Sequence, residues 1–245
     1  MVSHIVKKLT SNKVDKGNLI CFPFAGGHSS SFRPLSQLLE TTGWSILAIE
    51  PPGHGNNRMP LIEDVTKMVD LYERALSPIF TKPFAFFGHS LGGFVAYLLT
   101  QRLEKIKVFP QALIISSTNP PGLVGDKKAG LSDKEFLDYV VSLGGIPNEL
   151  LEQKEFIEFF LRILRADFKA LETYVHRDYT TIQTPVYIFG GDQDKESNFD
   201  MLQEWVKWVY QAEFYTFRGG HMYLHDQVEN LANKIHEILN ENVRN

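Results

Sequence analysis

Residues 84–103 read FAFFGHSLGGFVAYLLTQRL, and this stretch decides the fold. Phe84–Phe87 is an unbroken apolar run of the kind found in strands buried on both faces. It leads directly into Gly88-His89-Ser90-Leu91-Gly92, a G-x-S-x-G pattern. From Gly93 the segment Phe94–Leu103 repeats apolar residues at intervals of three and four, the helix period. Strand, Gly-rich turn and helix in that order are the context of a nucleophile elbow. The sharp turn forces its serine into a strained backbone, and small neighbours prevent clashes. The helix N-terminus then lies beneath the reacting centre and favours developing negative charge. Ser90 is therefore the candidate nucleophile, the competing reading being an idle serine in a strand–helix turn.

Working outward, further short apolar runs stop at Gly or Pro: Asn18–Phe24, Trp44–Ile49, Ala112–Ser116, Val186–Phe189 and Glu213–Phe217. Amphipathic stretches at Ile62–Leu76, Phe199–Val209 and Val228–Leu239 lie between or after them. The alternation predicts an α/β fold with a mostly parallel central sheet flanked by helices, one domain over residues 1–245. One connection is too long. About 70 residues separate Ser116 from Val186, where a simple crossover unit needs roughly 30. The excess is helical and very apolar, and Ser132 with Glu135 forms a capping-box pair. Residues 119–183 are read as a helical lid insertion over the carboxyl edge of the sheet, where open α/β sheets bind ligands. A plain extra helical layer is the alternative.

Composition narrows the function classes. The chain has 245 residues, 43% of them hydrophobic and 22% charged, which excludes general disorder. Lys plus Arg total 25 against 29 Asp plus Glu, so no basic excess exists to neutralise phosphates. A nucleic-acid partner is not expected. The single cysteine, Cys21, excludes an intrachain disulfide and Cys-rich zinc sites. The opening MVSHIVKKLTSNKV lacks the apolar stretch of a secretory signal. No apolar run approaches the roughly 18 residues that would span a bilayer. A cytoplasmic protein with no membrane partner is expected.

A serine hydroxyl needs a base to take its proton, and in this architecture the partners follow in the order Ser, acid, His. Three histidines lie far enough downstream: His221, His225 and His236. His221 is preferred, because Gly219-Gly220 can present its imidazole over the sheet edge. His236 reads as a surface residue of the last helix. The acid belongs just past Phe189, where Gly190-Gly191-Asp192-Gln193-Asp194 offers two carboxylates. Asp194 is preferred because the loop has length to turn back toward the histidine, while Asp192 can brace the turn. An oxyanion hole needs two backbone N–H groups; Leu91, after the nucleophile, and Ala25, in Phe24-Ala25-Gly26-Gly27, are the candidates.

Taken together, CFPFAGG (Cys21–Gly27), EPPGHG (Glu50–Gly55), FGHSLGG (Phe87–Gly93), SLGGIP (Ser142–Pro147), GGDQD (Gly190–Asp194) and GGHMYL (Gly219–Leu224) resemble the type II thioesterases of nonribosomal peptide and polyketide synthetase systems. These are α/β-hydrolases with a helical lid. The segments span nearly the whole chain in the family's order, and the family's catalytic residues map onto Ser90, Asp194 and His221. Asp192, an extra carboxylate two residues before the expected acid, is a departure from the pattern.

The resemblance implies hydrolysis of acyl thioesters from the phosphopantetheine arm of carrier proteins, with no metal and no bound cofactor, since pantetheine belongs to the partner. The protein is expected to act as a monomer. Phe24 and Met222 are candidate acyl contacts, with core packing the competing role. His28 and His54 lie in loops at the strand ends and read as surface residues, with a place at the site entrance the alternative. Lys154, Arg162 and Arg165 could meet an acidic carrier protein or simply be solvated. The rival functions are a general esterase or lipase on free small esters, a medium-chain acyl-carrier-protein hydrolase of fatty-acid synthesis, and a non-enzymatic acyl-binding protein.

Overall fold

The computed structural model describes residues 2–11, 16–123, 125–146 and 151–241; Pro147, the last residue of SLGGIP, lies outside them. Seven strands form one sheet: β1 (Val6–Lys8), β2 (Gly17–Phe22), β3 (Trp44–Ile49), β4 (Phe84–His89), β5 (Leu113–Ser116), β6 (Val186–Gly191) and β7 (Ala212–Phe217). Their order is β1-β3-β2-β4-β5-β6-β7. β1 pairs antiparallel with β3, and every other pairing is parallel. The helices are α1 (Val2–Ile5), α2 (Arg33–Leu38), α3 (Val65–Leu76), α4 (Leu91–Lys105), α5 (Asp133–Ser142), α6 (Lys154–Glu172), α7 (Phe199–Gln203), α8 (Tyr223–Asp226) and α9 (Val228–Glu241).

The strand runs are apolar throughout because both faces of the sheet are covered. Along β2, Ile20 and Phe22 enter the layer shared with α3 and α4, while Leu19 and Cys21 enter the opposite layer with α2 and α9. Alternation of side chains along a strand makes this division. Two elements differ from the sequence expectation. β1 is an antiparallel edge strand too short to show a period, and α2 is a short helix with Pro34 in its first turn.

Between β5 and β6, helices α5 and α6 form a cluster of their own from Phe136, Val140, Ile157, Leu161 and Leu164. The Ser132–Glu135 capping box forms as expected, each side chain accepting the other's backbone N–H. Ala25 packs against this cluster from the loop after β2, so the insert rests on that loop.

Candidate active site

β4 runs at full burial into Ser90, and α4 starts at the next residue. Ser90 takes φ 54° and ψ −123°, a combination costly for a residue with a Cβ. The turn tolerates no bulk: a Cβ on Gly92 would lie 2.1 Å from the Phe22 carbonyl oxygen. Ser90 N–H donates to the Ser116 carbonyl at 2.8 Å, and Thr118 Oγ1 donates to the Ser90 carbonyl at 2.9 Å. The strain is thus held from both sides by the end of β5.

The structure brings Ser90, His221 and Asp194 together across 131 and 27 residues of sequence separation. Ser90 Oγ donates to His221 Nε2 at 3.1 Å, and His221 Nδ1 donates to Asp194 Oδ2 at 2.9 Å. The second oxygen, Asp194 Oδ1, accepts the N–H groups of Glu196 and Ser197 at 2.9 and 3.1 Å. Burial alone would raise the Asp194 carboxyl, but the His221 hydrogen bond and charge and the Ser197 N–H outweigh it and hold the pKa at about 2. Asp192 does something else: its Oδ1 accepts the Gly219 N–H at 2.8 Å and braces the turn that presents His221. His225 is exposed and packs its ring against Phe24, and His236 is exposed on α9.

Beneath His221 lies a polar chain that sequence reading missed. Tyr223 Oη and Ser116 Oγ are 2.6 Å apart, and His89 Nδ1 is 2.8 Å from Ser116 Oγ. His89 is fully buried, its ring centroid 5.5 Å from that of His221. Burial, helped by the neighbouring His221, pushes its pKa well down, so a neutral imidazole underlies the site.

Among the described residues, neither amide expected of an oxyanion hole donates a hydrogen bond. Leu91 is the first residue of α4, where a helix leaves its N–H groups without internal acceptors. Ala25 N–H has no acceptor among the described residues. Its loop is held by Gly27 N–H donating to the Phe24 carbonyl at 2.8 Å and by Gly26 N–H donating to Asp167 Oδ2 at 2.7 Å.

A model of the thioesterase domain matches residues 17–239. The chain belongs to the thioesterase domain family. This thioesterase is 33% identical over 227 residues to Thioesterase PikA5 of Streptomyces venezuelae, covering 90% of this chain and 80% of that protein. Among solved structures, the type II thioesterase BorB from the borrelidin biosynthetic cluster superposes with a TM-score of 0.88 at 26% identity, over 97% of this chain and 98% of that one. YbtT, a type II thioesterase from the yersiniabactin NRPS/PKS biosynthetic pathway, gives 0.88 at 26% identity, over 98% and 99%. The mostly parallel sheet, its flanking helices and these likenesses make the fold that of the α/β-hydrolases.

Ser90 and His221 of the thioesterase open into a chamber of about 610 Å³, bounded by Pro120–Leu123, by Tyr139 and Leu143 of the insert, by Phe168 and Leu171 of α6, and by Trp208. That volume suits a small-molecule acyl group. Phe24 and Met222, candidates for acyl contact or equally for core packing, both lie outside this wall. The Phe24 ring packs edge-on against His89 and His225, and Met222 is buried in the core layer beneath Gly144 of the insert. The reading of His54 as a surface residue is also corrected: it is 2% exposed, its Nε2 2.9 Å from Asp167 Oδ2. Arg165 is tied to the Ala129 carbonyl and to Asp133, which joins α6 to α5, whereas Lys154 and Arg162 are exposed. Among the described residues no group of three or more His, Cys, Asp or Glu could hold a metal ion, and no helix is long and apolar enough to cross a membrane.

Proposed function

We propose that this thioesterase is a type II editing enzyme, hydrolysing acyl groups from the phosphopantetheine arm of carrier proteins in nonribosomal peptide or polyketide biosynthesis. The observation that carries the reading is the hydrogen-bonded line Ser90–His221–Asp194 at the mouth of the 610 Å³ chamber. The similarity to BorB of the borrelidin biosynthetic cluster and to YbtT of the yersiniabactin NRPS/PKS pathway supports the choice of substrate.

In the proposed reaction Ser90 Oγ attacks the thioester carbonyl carbon and its proton passes to His221 Nε2. Asp194 holds the imidazole in the tautomer with Nε2 free and stabilises the imidazolium that forms. The oxyanion takes hydrogen bonds from Ala25 and Leu91 N–H. The C–S bond breaks, His221 returns the proton to the pantetheine thiol, and Ser90 is left acylated. Water then attacks the acyl carbon as His221 removes its proton, and collapse frees the acid and Ser90. The reaction draws on no metal or cofactor of the enzyme's own, since the pantetheine arrives with the carrier. Helices α5 and α6 serve as the lid of the chamber, and the enzyme works as a cytoplasmic monomer.

The test compares hydrolysis of one acetyl thioester on a peptidyl carrier protein and on free pantetheine, with Ser90→Ala as control. Carrier attachment is expected to raise kcat/KM by tens-fold or more. Equal rates would reduce the protein to a general thioesterase or esterase.

A further inference from the structure

The segment Glu50–Gly55 (EPPGHG) has no part in the reaction just described, yet it is built around two buried ionisable groups. Glu50 shapes the loop: its carboxylate accepts the N–H groups of Ser29 and Asn56, both at 2.9 Å. His54 does not close on its own loop alone. Its Nδ1 is 2.9 Å from the Pro52 carbonyl oxygen, and its Nε2 is 2.9 Å from Asp167 Oδ2. A carbonyl only accepts, and so does an ionised carboxylate; with Asp167 ionised, both ring nitrogens donate and His54 is an imidazolium. The side chains of His54 and Asp167 are 2% and 4% exposed, so this is a buried ion pair.

Asp167 sits on α6, 141 residues from Gly26, and the same oxygen that meets His54 accepts the Gly26 N–H at 2.7 Å. The contact is close-fitting. Gly26 has φ +76°, and a Cβ there would lie 2.8 Å from both Leu164 Cδ2 and Phe160 Cζ. Phe160, Leu164 and Asp167 share one face of α6. That face therefore rests on the residue next to Ala25. Asp167 also lines a small void of about 20 Å³ together with Phe24 and Leu91, the neighbours of Ala25 and Ser90.

We propose that Asp167 is a positioning residue for the oxyanion hole, anchoring the Ala25–Gly26 loop to α6, and that His54 neutralises its carboxylate so that the anchor does not oppose the negative charge of the transition state. A bare carboxylate hydrogen-bonded to the residue next to Ala25 would repel an oxyanion. An uncharged anchor would hold the loop with a weaker hydrogen bond. The pair supplies a charge-assisted bond at no net charge. Burial alone would push the His54 pKa down, and the adjacent Asp167 carboxylate outweighs it and raises it. Asparagine cannot replace Asp167 cleanly: its amide oxygen can take the place of Oδ2 and accept from both Gly26 N–H and His54, but it carries no negative charge to compensate a cationic His54.

The inference rests on the proposed serine mechanism, and the experiment separates the two. Hydrolysis of acetyl-pantetheine by the full chain and by Ser90→Ala comes first; equal rates would remove the mechanism itself. With that turnover in hand, Asp167→Asn and His54→Gln are assayed well below their melting temperatures. Each should lower kcat about 10- to 100-fold, since a small misplacement costs up to roughly 10² and loss of a whole donor roughly 10²–10³. KM should stay within about threefold, and the affinity of an alkylboronic acid, which forms a tetrahedral adduct on Ser90, should weaken by the same factor as kcat. Because the two side chains act as one unit, the double variant should be no worse than the worse single one. A kcat within about twofold of wild type in the soluble variants, or a fall in kcat with unchanged boronate affinity, would overturn the proposal. His54→Gln keeps the Gly26 acceptor and so gives the same reading where Asp167→Asn fails to fold.

Discussion

Asp194→Asn is the most informative single substitution in this site, because it removes one charge and almost no volume. The amide oxygen can still accept the Glu196 and Ser197 N–H groups that Oδ1 accepts now. That leaves the NH2 group facing His221 Nδ1, where Oδ2 lies at 2.9 Å. An N–H there forces Nδ1 to accept, so the ring proton moves to Nε2 and the ring can no longer take the Ser90 proton. Wrong-tautomer substitutions of this kind cost about 10⁴ in kcat, or about 5 kcal/mol of barrier. A separate stability effect follows from the carboxyl's shift from 3.8 to about 2. It corresponds to about 2 kcal/mol, or a melting temperature lower by roughly 4–8 °C in a chain of this size. The folded pKa is depressed, so this stability is present above pH 4 and is lost as pH falls toward 2. The melting difference between wild type and variant should therefore shrink as the solution is acidified through that window. Asp192→Asn is the control: its bond to Gly219 N–H is exposed, and kcat should stay within about threefold. The assay is thioester hydrolysis with thermal melting at several pH values. A kcat for Asp194→Asn within tenfold of wild type, or a slower Asp192→Asn, would refute the assignment of the acid.

Other consequences can be checked with the same materials. Ser90→Ala should reduce kcat at least about 10³-fold with the fold intact. Ser90→Gly should be more stable than Ser90→Ala by about 1–3 kcal/mol in urea unfolding, because only glycine takes φ 54° and ψ −123° without strain; equal stabilities would mean the elbow stores none. His54 faces Asp167 and the Pro52 carbonyl, with Glu50 as the other nearby charge, and its folded pKa is raised. Its contribution to stability is complete below the ordinary histidine value and is lost as pH rises through the folded value. Asp167→Asn should thus be more destabilising at pH 6 than at pH 9, and a pH-independent deficit in urea unfolding would contradict the ion pair.

Much of the site was legible because its signals are local. The elbow needs only a strand, a turn and a helix in immediate succession, and Phe84–Leu103 displays all three. The helix begins at Leu91, three residues before the periodic pattern at Phe94, because Gly92 and Gly93 carry no hydropathy period. β6 likewise runs through Gly190 and Gly191 for want of a side-chain signal in the glycines. The amphipathic stretch Phe199–Val209 is only partly α-helical: a short helix gives way to a 3-10 turn at Glu204–Lys207, since packing overrides propensity.

By itself, the sequence determined the α/β alternation, the long helical insert, the candidate nucleophile and the candidate partners in their order, since each is written in neighbouring residues or in the spacing of runs. Only the tertiary structure decided which carboxylate meets His221. Asp192 and Asp194 are two residues apart, and the direction of a turn separates a brace from a partner. It also decided that Phe24 and Met222 pack away from the chamber, and that His54 is buried. The last is the clearest case: the cost of burying an imidazolium is met by a carboxylate 113 residues away on α6, and along the chain Asp167 is only one charged residue among several in an amphipathic helix. Charge pairing in a core depends on distances that no local pattern records.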